Sequence, residues 1–333
     1  MPGELIREQA AALDAEDPLA GFRGRFAIDE TGPIYADGNS LGRLPHAASD
    51  AIAGAVETWG TRLVGAWDEW IELPERIGDL LAEHVLGARP GEVVVCDSAT
   101  VNLYKLAGAV LAAERGPIVA LAEDFPTDRY VLQGLAAQHD VDLRLVSRAQ
   151  LPVQARDARL VCLSHVDYRS GEVAEIGALR PNNGLVLWDL SHSAGAVELD
   201  LEADGVDLAV GVTYKYLNGG PGAPAYLYVR EEHQERLRSP VQGWFGQRDQ
   251  FAMGLRYDPA GDVRRFMAGT PPIVSLAGVE AGVRVVAEAG MPVIAPKTRA
   301  LTELFVHLHD QWLAPLGFVL ASPRGARARG GHV

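Results

Sequence analysis

Seven short apolar runs, spaced by helical stretches and glycine-bearing turns, constrain this chain more than any other feature. They are VVVC at 93–96, PIVAL at 117–121, LRLV at 143–146, RLVCLS at 159–164, LVLWD at 185–189, VDLAVG at 206–211 and AYLYV at 225–229. Runs that are continuously apolar, rather than alternating, belong to strands buried on both faces. The expected fold is therefore α/β, a mostly parallel central sheet with helices on both faces. The sequence predicts helices over 46–64, 73–86, 100–115, 125–138, 273–289 and 296–313, with an acidic amphipathic helix at the N-terminus. Three parts follow: an arm at 1–45, a large domain at 46–290, and the start of a small C-terminal α/β domain at 291–333.

Composition excludes several partners. A net charge of −14 over 333 residues disfavours nucleic acid. No run approaches membrane-spanning length, and the N-terminus lacks a signal-peptide apolar core. Cys96 and Cys162 sit inside strand-like runs and read as buried, reduced thiols of a cytoplasmic protein. His307 and His309 read as surface histidines, with no metal-binding spacing, and the Arg/Gly-rich end from Arg324 reads as a solvated tail.

Among 30 basic residues only Lys105, Lys215 and Lys297 are lysines. Arginine cannot lose a proton at working pH, so a retained lysine is a candidate for amine chemistry. Lys215 lies in TYKYLNGGPG, where it is either a turn residue or a Schiff-base lysine. Asp189 closes the run LVLWD, 26 residues earlier, with one strand between them. A carboxylate there is either a turn or cap residue, or the partner of a protonated pyridine nitrogen. Asp97-Ser98-Ala99-Thr100 opens a helix and can cap it or bind phosphate. Phe125-Pro126-Thr127-Asp128 opens the next, where Phe125 either packs or stacks on a ring.

Gly38-Asn39-Ser40-Leu41-Gly42 also matches the Gly-x-Ser-x-Gly nucleophile elbow, with Asp189 and His192 as triad partners. The elbow needs several preceding strands and a following helix. Here only PIYAD precedes it, and Pro45 stands where the helix should run.

Together the stretches LDAEDPLAGFRGRF, YADGNSLG, SATVNLY, FPTDRY, SHVDYRSGE, WDLSHSAGAVELDL, DLAVGVTYKYLNGGPGAPAYLYV, GWFG and GTPPI resemble the kynureninases. These are fold-type-I enzymes of the class V aminotransferase superfamily that use pyridoxal 5′-phosphate. The resemblance spans essentially the whole chain. It implies hydrolysis of kynurenine or 3-hydroxykynurenine to alanine and an anthranilate. Lys215 would form the imine, Asp189 would pair with the pyridine nitrogen, and His192 would support the ring. Ala99, Thr100, Ser164 and Tyr214 would surround phosphate and ring, with Phe125, Pro126, Thr127 and Asp128 beside them, and Tyr214 would donate a proton. Trp244 and Thr270 would reach the phosphate of a neighbouring subunit in a homodimer with shared sites. Ser40 and the Trp59–Trp70 segment would border the aromatic end of the substrate.

Two departures accompany the resemblance. Gln247 follows GWFG where the family usually has His. SPRGARARGGHV resembles segments that in the family lead into further small-domain structure carrying the arginine for the substrate α-carboxylate. The resemblance thus implies an incomplete small domain, and none of Arg324, Arg327 and Arg329 is assigned to that role. A cofactor-binding scaffold with little catalysis, or a related lyase or aminotransferase, are the alternative readings.

Overall fold

The computed structural model describes residues 2–333. Its centre is one seven-stranded sheet in the order β1-β7-β6-β5-β4-β2-β3. The strands are β1 (Val93–Val95), β2 (Ile118–Leu121), β3 (Leu143–Val146), β4 (Leu160–Ser164), β5 (Leu185–Asp189), β6 (Leu208–Gly211) and β7 (Tyr226–Val229). β6, β5, β4, β2 and β3 pair in parallel. β7 runs antiparallel to both β6 and β1.

Each strand alternates its side chains between two apolar cores, as a pleated backbone requires. Val93, Val95, Val186 and Trp188 enter one core, where they meet Ile77, Leu81, Val279 and Val283. Val94, Leu185, Leu187 and Val210 enter the other, with Leu103, Leu106, Leu132 and Leu135. Burial on both faces explains why these strands read as unbroken apolar runs.

The helices are α1 (Pro2–Ala15), α2 (His46–Arg62), α3 (Trp67–Trp70), α4 (Leu73–Leu81), α5 (Ala99–Ala113), α6 (Pro126–His139), α7 (Leu151–Gln154), α8 (Glu231–Gln234), α9 (Ile273–Ala289) and α10 (Met291–Leu308). α5 starts on a Ser98 cap, and α6 starts on Pro126. The last helix begins at Met291, five residues earlier than expected at 296. Pro292 occupies its first turn, where a missing N–H costs nothing, and Pro296 is carried inside the helix.

Two surface assignments are corrected. His309 is buried, with its Nδ1 against Asp310 and its Nε2 against the Phe318 carbonyl. The Arg/Gly-rich end is not a solvated tail. Arg329 is 3% exposed and bonds Glu303 and the Pro323 carbonyl. Charge composition cannot show that one arginine of a cluster has buried acceptors waiting for it. Among the described residues no helix is long and apolar enough to cross a membrane.

Candidate active site

The three lysines meet different fates. Lys105 is wholly buried and paired to Asp97 at 2.7 Å, with a second bond to the Phe266 carbonyl at 2.6 Å. Lys297 pairs with Asp17 at 2.5 Å. Lys215 has no carboxylate oxygen within ion-pairing distance among the described residues; its Nζ instead lies 2.8 Å from His192 Nε2. Burial lowers its basicity, opposed by the charges of Asp189 and Asp128.

Parallel strands deliver the neighbours. Ser164 ends β4 and stands in register with Asp189, which ends β5. Asp189 Oδ1 accepts the Ser191 N–H at 2.9 Å and the Ser191 hydroxyl at 2.5 Å. Its side chain leaves the same sheet face as Leu187, the face covered by α6, which brings in the buried Asp128. Burial first, and then mutual repulsion, pushes Asp128 well above the usual carboxylate range; burial also raises Asp189. Two donors from Ser191 favour the anion at Asp189, so Asp128 is the member of the pair pushed toward its neutral form.

Asp128 Oδ2 is buried with no hydrogen-bond partner. A protonated pyridine nitrogen beside this pair would add both a donor and a positive charge, so the carboxylates fit pyridoxal phosphate. The start of α5 fits the phosphate: Ser98 caps Val101 N–H, and the first-turn N–H groups of Ala99 and Thr100 have no intrahelical acceptor. Phe125 is 43% exposed, set edge-on to Tyr168 at 5.2 Å, and presents a free aromatic face. Tyr214 is raised by burial and by Asp189, so its hydroxyl stays protonated. Its ring centroid lies 5.9 Å from Lys215 Nζ.

The hydrolase elbow is not built. His192 bonds Lys215 and Asp189 bonds Ser191, so neither is arranged for Ser40. The motif's last glycine has another task. Gly42 N–H donates to the Tyr214 carbonyl at 2.9 Å, and a Cβ on Gly42 would stand 2.2 Å from the Lys215 carbonyl oxygen. The loop carrying Ser40 thus packs directly on the backbone of Lys215. Trp244 and Thr270 lie exposed on the surface. Gln247 is occupied structurally, accepting the Asp258 N–H at 2.8 Å.

Residue-by-residue reading passed over Asp124, in the turn after β2, three residues past Leu121. It is 4% exposed, and burial pushes it up to about 6 against the pull of Ser164. The sequence offers only an acid pair, Glu123-Asp124, shortly after an apolar run. The folded chain holds this proton between the ordinary value of 3.8 and about 6. That contribution is present at low pH and is lost as pH rises through the folded value. Asp124→Asn should therefore stabilise the cofactor-free protein by roughly 2–3 kcal/mol near neutrality and little near pH 4. Melting curves across that range check this; an equal effect at both ends would contradict it.

Comparison with known proteins places the chain as a whole. Residues 83–313 match the family "Aminotransferase class-V". The chain is 44% identical over 98% of its length to a kynureninase of Pseudomonas fluorescens, covering 82% of that protein. It is likewise 44% identical to a kynureninase of Burkholderia pseudomallei, over 97% of the chain and 82% of the relative. The chain belongs to the kynureninase family. Among solved structures, the apo cysteine desulfurase of Thermococcus onnurineus superposes with a TM-score of 0.76 at 21% identity, covering 96% of this chain and 80% of that one. A lyase solved with glycine covalently linked to its pyridoxal phosphate gives 0.72 at 19%, over 82% and 76% of the two chains. These two show the fold that this kynureninase-family chain shares.

Proposed function

We propose that this chain uses pyridoxal 5′-phosphate to hydrolyse the Cβ–Cγ bond of kynurenine or 3-hydroxykynurenine, releasing alanine and the matching anthranilate. The observation that carries this is the unpaired Lys215 amine beside the Asp189–Asp128 pair, in a chain 44% identical to kynureninases. When bound, the cofactor supplies an aldehyde carbon for amine exchange and a conjugated ring that takes up an electron pair.

The chain's own residues do the rest. Ala99 and Thr100, with the free N–H groups opening α5, hold the phosphate, and Phe125 covers one ring face. Pro126 and Thr127 start the helix that sets Asp128 against Asp189, while Ser164 lines the neighbouring strand end. Asp189 holds the ring nitrogen's proton by its charge. Lys215 Nζ takes the substrate α-proton, and burial lowers its basicity in the direction this step needs. His192, pushed down to about 3 by burial and by the Lys215 charge, stays neutral beside that amine. Water adds to the γ-carbonyl, the Cβ–Cγ bond breaks, and the Tyr214 hydroxyl supplies a proton to the released carbon. Ser40 borders the aromatic end of the substrate.

Incubating the cofactor-loaded protein with each substrate and measuring anthranilate-type fluorescence and alanine tests this. Equal amounts of both products are expected. A folded, yellow protein that releases neither would overturn the assignment in favour of a scaffold or another lyase. Asp189→Asn should cut turnover by roughly 10²-fold or more, because the ring nitrogen loses its buried counter-charge. Steady-state rates at saturating cofactor check this.

We also assign a homodimer. Trp244, 41% exposed, packs against Phe251, 67% exposed, and against the buried Phe245. Trp59, Val64, Met253 and Leu255 are further large apolar side chains left exposed. Apolar surface on this scale suits burial by a second copy. Sedimentation of the loaded protein should give twice 35.7 kDa. The buried free thiols Cys96 and Cys162 suit a reducing cytoplasm.

A further inference from the structure

The ribbon 328–332 runs back onto the large domain and places a second imidazole in the site. Val173 N–H donates to the Ala328 carbonyl at 3.0 Å, and Gly330 N–H to the Gly171 carbonyl at 2.8 Å. The buried Arg329 guanidinium ties the ribbon to Glu303 of α10 at 3.0 Å. Gly171, at φ +69°, lets the chain approach so closely that a Cβ there would stand 2.6 Å from the His332 carbonyl oxygen. These contacts fix where His332 sits.

The His332 ring lies 5.2 Å, centroid to centroid, from that of His192 and is tilted by 53°. His192 Nδ1 is buried without a hydrogen-bond partner; the buried His332 ring has only loose approaches to the Asp167 and Tyr168 backbone, which can take one ring N–H and leave the other nitrogen's lone pair free. The separation permits a nitrogen of each ring to meet after a small rotation, or through one water. The other His192 nitrogen, Nε2, is 2.8 Å from Lys215 Nζ.

A neutral imidazole carries one proton, and its position decides what Lys215 can do. With the proton on Nδ1, the Nε2 lone pair accepts from Lys215, and the amine lone pair stays free. With the proton on Nε2, the imidazole donates to the amine and occupies that lone pair. The Nδ1–H form needs an acceptor in a buried setting. Asp167, whose charge acts on both rings, is already engaged by the Arg169 and Ser170 N–H groups and the Ser170 hydroxyl. Asp189 and Asp128 act on Lys215 from the strand ends. His332 is the remaining neighbour with a lone pair to offer.

We propose that His332 is a positioning residue: it accepts the Nδ1 proton of His192, directly or through one water, and so keeps the Lys215 lone pair free. This rests on the reading of Lys215 as the reactive amine, but its test needs neither cofactor nor substrate. In cofactor-free protein carrying ¹⁵N-histidine, held at a pH above the Lys215 titration so that no ammonium dictates the tautomer, long-range ¹H–¹⁵N correlation reports each imidazole's tautomer, with His192→Gln identifying the His192 signals. Wild type should show His192 protonated on Nδ1. His332→Phe, which keeps an aromatic ring but no acceptor, should move the proton to Nε2. His332→Gln, whose side-chain carbonyl can accept, should restore Nδ1–H. A wild-type His192 protonated on Nε2 overturns the proposal without any variant, as does an unchanged tautomer in His332→Phe. Absent kynurenine turnover in wild type alongside the expected tautomers would instead sink the proposed function alone.

Discussion

Lys215→Ala should lower kynurenine turnover by about 10³-fold or more and abolish borohydride-reducible attachment of the cofactor. The size of the loss follows from the fate of the other lysines. Lys105 and Lys297 are each committed to a carboxylate, and Lys105 is sealed in the core, so neither can stand in. Lys215→Arg should be nearly as damaging, because a guanidinium keeps its proton at working pH. Stability should move the other way. A buried amine with no carboxylate partner is a cost to the fold, so the melting temperature of cofactor-free Lys215→Ala should hold or rise. Rate measurements and melting curves on the same preparation check both halves. A variant that unfolds while losing activity would contradict this account of Lys215 as a reactive rather than structural residue.

The largest stability effect should fall on Lys105. Lys105→Met removes the cation from a pair in which Lys105 is fully buried and Asp97 is 30% exposed. It also strips a donor from the Phe266 carbonyl. Breaking a buried pair from one side typically costs 3–5 kcal/mol. Partial exposure of Asp97 lets water recover some of that, so about 3 kcal/mol is expected. Asp97→Asn in the same chain should restore part of the loss, since the uncompensated charge disappears. Urea unfolding of the single and double variants measures both. Because Asp97 lies just before the helix that opens on Ala99 and Thr100, weaker cofactor binding should accompany the lost stability.

Legibility followed the physics of burial. Strands packed on both faces left continuous apolar runs, and all seven were readable, down to Asp189 as the last residue of LVLWD. The lysine argument was readable because arginine had replaced lysine almost everywhere that charge alone was needed. Asp124 was missed because it follows Glu123 in a turn beyond β2, where an acid reads as solvated. Its meaning comes from Ser164, forty residues away. His309 and Arg329 were misplaced for a related reason: their acceptors, the Phe318 carbonyl and Glu303, are brought to them only by the turn of the chain after α10. His332 belongs to the same class, since its contact with His192 spans 140 residues of sequence.

The most direct test of the central claim is to reduce the cofactor-loaded, kynurenine-cleaving protein with borohydride and map the attachment by mass spectrometry. A single pyridoxyl adduct on the peptide containing Lys215 is the expected result. An adduct on Lys105 or Lys297, or none in a protein that turns over kynurenine, would contradict it.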